Sequence, residues 1–264
     1  MLIDLSTLRR PGLFVTATDT GVGKTVVTCA IAAALRRSGT SVGVCKPCAS
    51  GCRRDREGLV SEDAEALAHF ADCRLPLDVI NPIRYAAPLA PAVAAEQAGQ
   101  TPDVAGLSRS LARLDEASDV LLIEGIGGLL VPLWERDDPK RGRVRYVTVL
   151  DLAAAIGYPV LVVARAGLGT LNHTAMTVRL LRENGCRVAG IVINGYDADA
   201  AKETDPSVSS NRTWLEKLTG VPVLATVPRC AADLVAPQHG RLPAEILETM
   251  ATVDWRSVVA ASNS

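Results

Sequence analysis

The sequence has few aromatic residues, almost no net charge and no long apolar run. Aromatic residues make up 3% of its 264 residues while apolar residues make up 48%, so the core has to be built mainly from Ala, Val, Leu and Ile. Such residues suit parallel strands that are covered by helices. The formal net charge of −1 gives no electrostatic reason to expect a nucleic acid or a membrane surface as partner, because both favour a basic face.

No apolar run approaches the roughly 20 residues that a membrane-spanning helix needs. The first ten residues, MLIDLSTLRR, lack the charged-then-apolar order of a secretory signal peptide, so we expect a cytoplasmic protein. The seven cysteines are an odd number and are too sparse for a disulfide scaffold, which favours free thiols. Cys45, Cys48 and Cys52 could also be three ligands of a zinc or iron–sulfur site, but no second cysteine pair lies nearby.

Short apolar runs alternate with helix-like segments along the chain. Six runs are predicted to be strands, at 13–17, 41–45, 120–124, 160–164, 189–194 and 221–227. Helical spacing of apolar residues predicts helices through 104–114 and 171–181. Alternation of this kind predicts an α/β fold with a doubly wound, mainly parallel sheet and helices on both faces. We expect one domain over 1–264, with an N-terminal extension at 1–12, a charged surface loop at 134–146 and a C-terminal segment at 230–264 that has no clear periodicity.

A glycine-rich loop, TGVGKT at 20–25, follows the first predicted strand and precedes a helix-like segment. In this order backbone N–H groups and the positive end of the helix converge on one point, which suits a polyphosphate. Lys24 is spaced to reach the terminal phosphates, and the Thr25 hydroxyl is spaced to ligate magnesium. A glycine turn followed by a lysine is the alternative interpretation. The predicted nucleotide-binding residues of this P-loop are Thr20, Gly21, Val22, Gly23, Lys24 and Thr25.

The loop is irregular at two positions. Thr18 stands where the usual spacing places the first glycine, and Asp19 stands where partition and positioning ATPases carry a second lysine. A regulatory or partition ATPase that switches a DNA or protein partner is therefore an alternative that Asp19 and the small net charge disfavour. A cobyrinate synthetase domain is a further alternative, and it would need a glutamine-hydrolysing domain for which 264 residues leave little room.

Chemically suitable side chains follow the second predicted strand. Lys46 begins the segment KPCASG, where Pro47 stiffens the turn, so its ammonium could neutralise an anion beside the phosphate loop. Ser50 could donate a hydrogen bond to the same anion. An exposed loop lysine and ordinary turn chemistry are the alternatives at these two positions.

Two acidic residues are candidates for a magnesium site. Glu124 ends the third apolar run, and Asp63 lies at a predicted helix start, where favourable interaction with the helix dipole is the alternative. Together with the Thr25 hydroxyl, these carboxylates form the oxygen-rich set that magnesium prefers. The glycines that follow Glu124, including Gly127, let the backbone approach a ligand closely.

Five segments in this order resemble the dethiobiotin synthetase family over about residues 13–229. They are TDTGVGKT at 18–25, KPCASG at 46–51, the helix start at 61–63, EGIGG at 124–128 and LGTLNH at 168–173. The Asn81–Pro82 turn and the segment 88–91 are also similar to the family.

The resemblance implies an ATP- and magnesium-dependent cyclo-ligase that forms the ureido ring of dethiobiotin from 7,8-diaminononanoate and CO2, through a carbamate and a carbamic-phosphoric anhydride. It implies Lys24 and Lys46 as catalytic residues, and Asn194 with Pro228 at the base of the nucleotide, whose identity stays open. It implies a homodimer in which 168–172 reaches the substrate carboxylate of the neighbouring subunit. The implied magnesium ligands are Thr25, Asp63 and Glu124, and the implied substrate contacts are Ser50, Glu124, Gly127, Leu168, Gly169, Thr170 and Asn172.

Overall fold

The computed structural model describes residues 3, 5, 8–56, 58–138 and 143–260. Its strands, in chain order, are β1 (Gly12–Ala17), β2 (Val42–Cys45), β3 (Cys48–Ala49), β4 (Arg53–Asp55), β5 (Gly58–Val60), β6 (Ile83–Arg84), β7 (Val120–Glu124), β8 (Pro132–Asp138), β9 (Arg143–Thr148), β10 (Val160–Arg165), β11 (Val188–Tyr196) and β12 (Val223–Pro228). Its α-helices are α1 (Lys24–Arg37), α2 (Glu62–Ala71), α3 (Leu77–Ile80), α4 (Pro91–Ala98), α5 (Val104–Ala117), α6 (Val149–Ile156), α7 (Thr170–Glu183), α8 (Ala200–Glu203), α9 (Ser207–Thr219), α10 (Ala244–Ala251) and α11 (Trp255–Ala260).

Six strands form a central sheet in the order β12, β11, β10, β1, β7, β2, and every neighbouring pair is parallel. The six apolar runs of the sequence are these six strands, with ends that differ by at most two residues. Helices surround the sheet, as expected when both faces of parallel strands have to be covered. The predicted α/β class with a mainly parallel sheet is confirmed.

The centre of the sheet is built from aliphatic side chains that are removed from solvent. Leu13, Val15, Leu122 and Val162 are fully buried, and burial of such a side chain stabilises the fold by roughly 1.5–3 kcal/mol. The periodicity at 104–114 and 171–181 corresponds to α5 and α7, which bury their leucines against this core. The two helix predictions are confirmed.

The strand order decides which loops meet. Because β7 lies between β1 and β2, the loops that follow these three strands leave the same edge of the sheet side by side. Those loops carry the P-loop, the glycines after Glu124, and Lys46. Ligands of doubly wound sheets bind at this edge, outside the carboxyl ends of the strands.

At 134–146 the predicted exposure to solvent is found at Glu135, Arg136 and 144–146, but the prediction of a loop is wrong for the residues that the structure describes there. Strands β8 and β9 pair antiparallel, with Trp134 opposite Val147 and Glu135 opposite Tyr146. The indole of Trp134 is buried, and the aromatic and β-branched residues of this segment favour a strand strongly enough to offset its charges. Residues 139–142 lie outside the described part of the chain.

The two ends of the chain also differ from the sequence-based picture. Strand β1 begins at Gly12, one residue inside the predicted N-terminal extension. The C-terminal segment contains α10 and α11, which pack on α1 through buried side chains such as Met250 and Trp255. None of the described helices combines the length and the apolar character that crossing a bilayer would require.

Candidate functional site

The P-loop joins β1 to α1 through two glycines in the left-handed region. Gly21 has φ +72° and Gly23, the N-cap of α1, has φ +96°. A Cβ atom at Gly23 would lie 2.0 Å from Nδ2 of Asn194, whereas a Cβ at Gly21 would meet nothing within 4 Å. Gly23 is therefore required both by its backbone conformation and by the close approach of Asn194.

Lys24 extends along the loop instead of into solvent. Its Nζ donates hydrogen bonds to the main-chain oxygens of Asp19 at 3.1 Å and Gly127 at 2.9 Å. Burial and the nearby ammonium of Lys46 lower the pKa of Lys24 to about 8. A bound polyphosphate would favour the charged form again, so the lysine is suited to an anionic ligand.

Lys46, Asp63, Glu124 and Thr25 meet at the carboxyl ends of β2 and β7. Nζ of Lys46 lies 2.6 Å from Oε1 of Glu124 and 2.6 Å from Oδ2 of Asp63. It also donates to the carbonyl of Gly125 at 3.2 Å. The hydroxyl oxygen of Thr25 lies 2.9 Å from one oxygen of each carboxylate.

Opposite charges set the protonation of this cluster. Burial by itself would lower the pKa of Lys46, but the carboxylates of Glu124 and Asp63 more than offset it and hold that pKa well above its usual value. Burial would raise the pKa of Asp63, and the Lys46 ammonium reverses this and keeps the carboxyl below its usual value. Lys46 is therefore a cation and Asp63 an anion at neutral pH.

The donor set fits a magnesium ion. Glu124 is fully buried, and its Oε2 has no hydrogen-bond partner among the described residues. A buried carboxylate oxygen without a partner is costly, which is explained if a cation binds there. Magnesium in phosphate-binding sites is coordinated by one or two carboxylates together with phosphate oxygens and water. The two carboxylates and one hydroxyl here match that coordination.

These side chains line or adjoin one cavity of about 550 Å³. The structure thus brings together Lys24, Lys46, Ser50, Asp63 and Gly127, which the sequence placed in separate motifs. Three apolar wall residues, Leu89, Ile126 and Val131, were missed by sequence reasoning because nothing distinguishes them locally from core residues. The lining residues are Thr20, Gly21, Gly23, Lys24, Thr25, Lys46, Ser50, Asp63, Pro88, Leu89, Ala90, Pro91, Ile126, Gly127 and Val131.

Other predicted site residues lie away from this cavity. Leu168 and Gly169 immediately precede α7, Thr170 and Asn172 lie in its first turn, and all four are absent from the lining of this cavity. Thr170 is buried with its hydroxyl 3.3 Å from that of Thr174, while Leu168 is 82% exposed.

The predicted base-binding residues lie on the far side of the P-loop. Asn194 donates from Nδ2 to the carbonyl of Val22 at 2.8 Å. Pro228 ends β12, in register with Tyr196 of β11. Both therefore stand at the carboxyl edge of the sheet, on the side where β10, β11 and β12 continue.

The cysteines singled out by the sequence are core residues. Cys45 and Cys48 are buried, and burial raises the pKa of both thiols. Within the described ranges, no group of three or more His, Cys, Asp or Glu side chains is arranged to hold a metal ion.

Solved structures of low identity share the fold. The chain is similar to the MinC:MinD cell division protein complex of Aquifex aeolicus, with a TM-score of 0.54 and 13% identity over 92% of this chain and 94% of that one. It is also similar to a ParA family ATPase from Chlorobium tepidum TLS, with a TM-score of 0.53 and 14% identity over 94% and 98% of the two chains. These similarities concern the fold alone.

Relatives of higher identity share one name. Residues 11–238 match a family model described as an AAA domain. An ATP-dependent dethiobiotin synthetase BioD of Anaeromyxobacter sp. (strain K) is 46% identical over 217 residues, which is 82% of this chain and 89% of the relative. That of Mycobacterium avium (strain 104) is 39% identical over 249 residues, 94% of this chain and 98% of the relative. The chain therefore belongs to the ATP-dependent dethiobiotin synthetase family.

Proposed function

We propose that this protein is a cytoplasmic ATP-dependent dethiobiotin synthetase, a ligase of biotin biosynthesis that forms a cyclic urea from 7,8-diaminononanoate and CO2. One observation carries the proposal: in a chain of this family, Lys24, Thr25, Lys46 and Asp63 line one cavity between the P-loop and the glycines after β7, and the buried Glu124 contacts Thr25 and Lys46. Two cations and two anions in such a small volume suit the transfer of a phosphoryl group more than they suit simple binding.

The reaction has three bond-forming steps. One amine of the substrate adds to CO2 and loses a proton, which gives a carbamate. A carbamate oxygen then attacks the γ-phosphorus as the bond to the leaving diphosphate breaks, which gives a carbamic-phosphoric anhydride. The second amine attacks the carbamoyl carbon, phosphate leaves, and the five-membered ureido ring closes with the loss of another proton.

The chain contributes mainly position and charge to this chemistry, as is usual for phosphoryl transfer. Lys24, which is tethered along the P-loop, would hold the β- and γ-phosphates. Lys46, on the other side of the cavity, would neutralise the carbamate and the transferring phosphoryl group, with Ser50 beside it. Gly127 offers a main-chain carbonyl that Lys24 already contacts, so the nucleotide site and the substrate site are directly connected.

Thr25, Asp63 and Glu124 would hold the magnesium ion. When bound, the ion would supply positive charge against the phosphate oxygens. The charges of Lys24, Lys46, Asp63 and Glu124 sum to zero, so the side chains alone do not neutralise a triphosphate. This balance supports a requirement for a divalent cation.

Asn194 and Pro228 would contact the base of the nucleotide, at the edge of the sheet beyond the P-loop. Asn194 also contacts the Val22 carbonyl, so a base bound there would sit directly against the phosphate loop.

We also propose a homodimer in which Leu168, Gly169, Thr170 and Asn172 contact the substrate of the neighbouring subunit. These residues lie outside the cavity of their own subunit, and the N-terminus of α7 offers N–H groups that suit a carboxylate. The surface at and beside them is apolar: Leu168 itself is 82% exposed, and Leu130 and Met176 are 66% and 54% exposed. A second cavity, of about 630 Å³, lies on this surface between α7 and the loop before β8.

The test is turnover with labelled bicarbonate. The purified protein is incubated with 7,8-diaminononanoate, ¹³C-bicarbonate, magnesium and each of the four nucleoside triphosphates in turn. We expect dethiobiotin with the label in the ureido carbon, equal amounts of nucleoside diphosphate and phosphate, and no product without magnesium. Absence of labelled product with every nucleotide would refute the proposal.

Two variants test the assigned lysines. Lys24→Met and Lys46→Met should each lower turnover by about 10²-fold or more, since each removes a charge aimed at the reacting phosphates. Lys217→Met is the control, because Lys217 lies over the ring of Trp214 on α9. Unchanged turnover in either of the first two variants would remove the role assigned to that lysine.

A further inference from the structure

The main chain of Lys46 is held by the last residue of α3, Ile80, and by the residue that follows it, Asn81. The Lys46 N–H donates to the carbonyl of Ile80 at 2.8 Å. The Lys46 carbonyl accepts a hydrogen bond from Nδ2 of Asn81 at 2.6 Å. We propose that Asn81 is a positioning residue for the reaction, which fixes the main chain of Lys46 and thereby the place of its ammonium group. This inference rests on the function proposed above for Lys46.

The Asn81 amide joins two main-chain carbonyls, and we call this pair of hydrogen bonds the clamp. Its side chain is fully buried, and Nδ2 donates a second hydrogen bond to the carbonyl of Ile83 at 3.3 Å. Both partners are carbonyl oxygens, so only the amide nitrogen can make these bonds. The amide therefore connects the turn after β2 to the segment that leads into β6.

The backbone of Asn81 is fixed as firmly as its side chain. Its own N–H closes the last turn of α3 by donating to the carbonyl of Leu77 at 2.8 Å. Pro82 follows, and a residue before proline is kept out of the helical region, in agreement with the φ of −134° at Asn81. Strand β6 then pairs with β3, so the two segments are in contact again at Ile83 and Cys48.

Only one end of the Asn81 amide is satisfied among the described residues. Oδ1 of Asn81 is buried and has no hydrogen-bond partner among the described residues. A buried acceptor without a partner destabilises the fold, whereas Nδ2 of the same amide satisfies the main-chain carbonyls of Lys46 and Ile83. The amide is explained by the carbonyl that it holds.

The position of the Lys46 main chain matters because the ammonium group at the end of this long side chain has to meet two carboxylates. Its Nζ has to stay 2.6 Å from both Glu124 and Asp63 while it faces the cavity. The side chain starts from the main chain of Lys46, so a shift of the main chain moves the point from which Nζ has to reach both carboxylates. A displacement of about 1 Å in a catalytic group can cost on the order of 10²-fold in rate.

The clamp acts on Lys46 and leaves the P-loop unchanged. The P-loop glycines and Lys24 make no hydrogen bond to Asn81. Loss of the clamp should therefore lower kcat and leave the KM for nucleotide nearly unchanged, whereas general unfolding would reduce the amount of active protein.

The first experiment compares Asn81→Ala with the wild type in the dethiobiotin assay. We expect kcat to fall by about 10- to 100-fold, with the KM for nucleotide within about twofold of the wild type. Asp115→Ala is the matched control, because Asp115 is also buried and holds two main-chain groups, the N–H groups of Arg9 and Arg10. It should lower the melting temperature without lowering kcat. If Asn81→Ala does not fold, Asn81→Leu, which keeps the volume and has no donor, is measured in its place with the same expected fall in kcat.

A double-mutant cycle separates positioning from a general structural role. If Asn81 acts through Lys46, adding Asn81→Ala to Lys46→Met should change kcat by less than about twofold. If instead the two losses multiply, the effect of Asn81 does not pass through Lys46 and the inference is overturned.

A crystal structure of Asn81→Ala tests the inference without turnover. We expect Nζ of Lys46 to leave Glu124 or Asp63, and unchanged 2.6 Å contacts would overturn the inference. The wild-type assay decides the proposed function by itself, so failure of that function and failure of the inference are distinguishable.

Discussion

At the scale of single residues, two of the buried polar atoms that lack a hydrogen-bond partner among the described residues differ in place: one lies in the candidate site and one outside it. Oε2 of Glu124 lies against the cavity side chains, where a cation can satisfy it. The hydroxyl of Tyr85 is also buried without a partner among the described residues, but Tyr85 does not line the cavity. The oxygen of Glu124 has a functional explanation, whereas the hydroxyl of Tyr85 should lower the free energy of unfolding.

Tyr85→Phe should stabilise the protein or leave its stability unchanged at pH 7. Removal of a buried hydroxyl without a partner avoids a desolvation penalty of about 1–3 kcal/mol. Tyr158→Phe is the control with the opposite sign, because the Tyr158 hydroxyl donates to the carbonyl of Arg10 at 3.0 Å and its loss should cost about 1 kcal/mol. Urea unfolding of both variants measures the two changes, and a marked loss of stability in Tyr85→Phe would contradict the prediction.

The pH dependence of stability tests the same residue. Burial raises the pKa of Tyr85 to about 12, while an unfolded chain has a tyrosine pKa of about 10. Between these values the unfolded state loses its proton while the folded state keeps it, so the free energy of unfolding falls as pH rises from about 10 to 12. Tyr85→Phe should make this fall smaller in urea titrations, and an identical fall in the variant would show that other groups cause it.

At the scale of elements, the P-loop depends on two glycines for different reasons. Gly21 and Gly23 both have positive φ, but only Gly23 has a neighbour, Asn194, in the place of a Cβ. The P-loop therefore packs against Asn194 of β11 at Gly23, whereas no atom lies close to the Cβ position of Gly21.

Gly23→Ala and Gly21→Ala should therefore differ. Gly21→Ala adds only backbone strain, about 1–2 kcal/mol, while Gly23→Ala must also displace Asn194 and break its bond to Val22. We expect Gly23→Ala to be the less stable variant and to lose measurable nucleotide binding by calorimetry. Equal losses of stability and affinity in the two variants would contradict this account.

The hairpin of β8 and β9 is the element that the sequence concealed. Its exposed charges resemble those of a solvated loop, while its strand character depends on cross-strand contacts such as Trp134 with Val147. The two residues of each contact lie on different strands, so a short stretch of sequence does not include both. A charge pattern read along the chain therefore does not reveal them.

At the scale of the whole molecule, large apolar side chains are exposed to solvent around α7. Leu168 is one of the four residues that we propose to contact a neighbouring subunit, and Leu130 and Met176 are exposed on the surface beside α7. Exposed apolar patches of this kind often mark interfaces between proteins.

Met176→Asp should convert the proposed dimer into monomers in light scattering, because a charge would be buried in the interface. Turnover should fall and the KM for 7,8-diaminononanoate should rise, with the KM for nucleotide little changed. Leu234→Asp is the control, since Leu234 is 56% exposed in the C-terminal segment and does not line the cavity beside α7. A wild-type protein that is monomeric at all concentrations would refute the dimer.

Local spacing made much of this protein predictable. Strand length, apolar runs and the order of glycine, lysine and threonine depend on neighbours within about ten residues, so the six strands, α5, α7 and the P-loop follow from the sequence. Lys46 and Glu124 were recognisable as candidates because each comes at the end of an apolar run. Helices α10 and α11 were not, because their segment shows little periodicity and packing on α1 stabilises them.

The sequence by itself determined the class of the fold, the phosphate loop and the residue types available for chemistry. Only the tertiary structure decided that β7 lies between β1 and β2, which brings Thr25, Lys46 and Glu124 within hydrogen-bonding distance. It also decided that Asn81 clamps Lys46 and that the start of α7 lies outside its own cavity. The physical reason is range: these contacts join residues 35 to 99 positions apart, and only the packing of the strands and helices selects them.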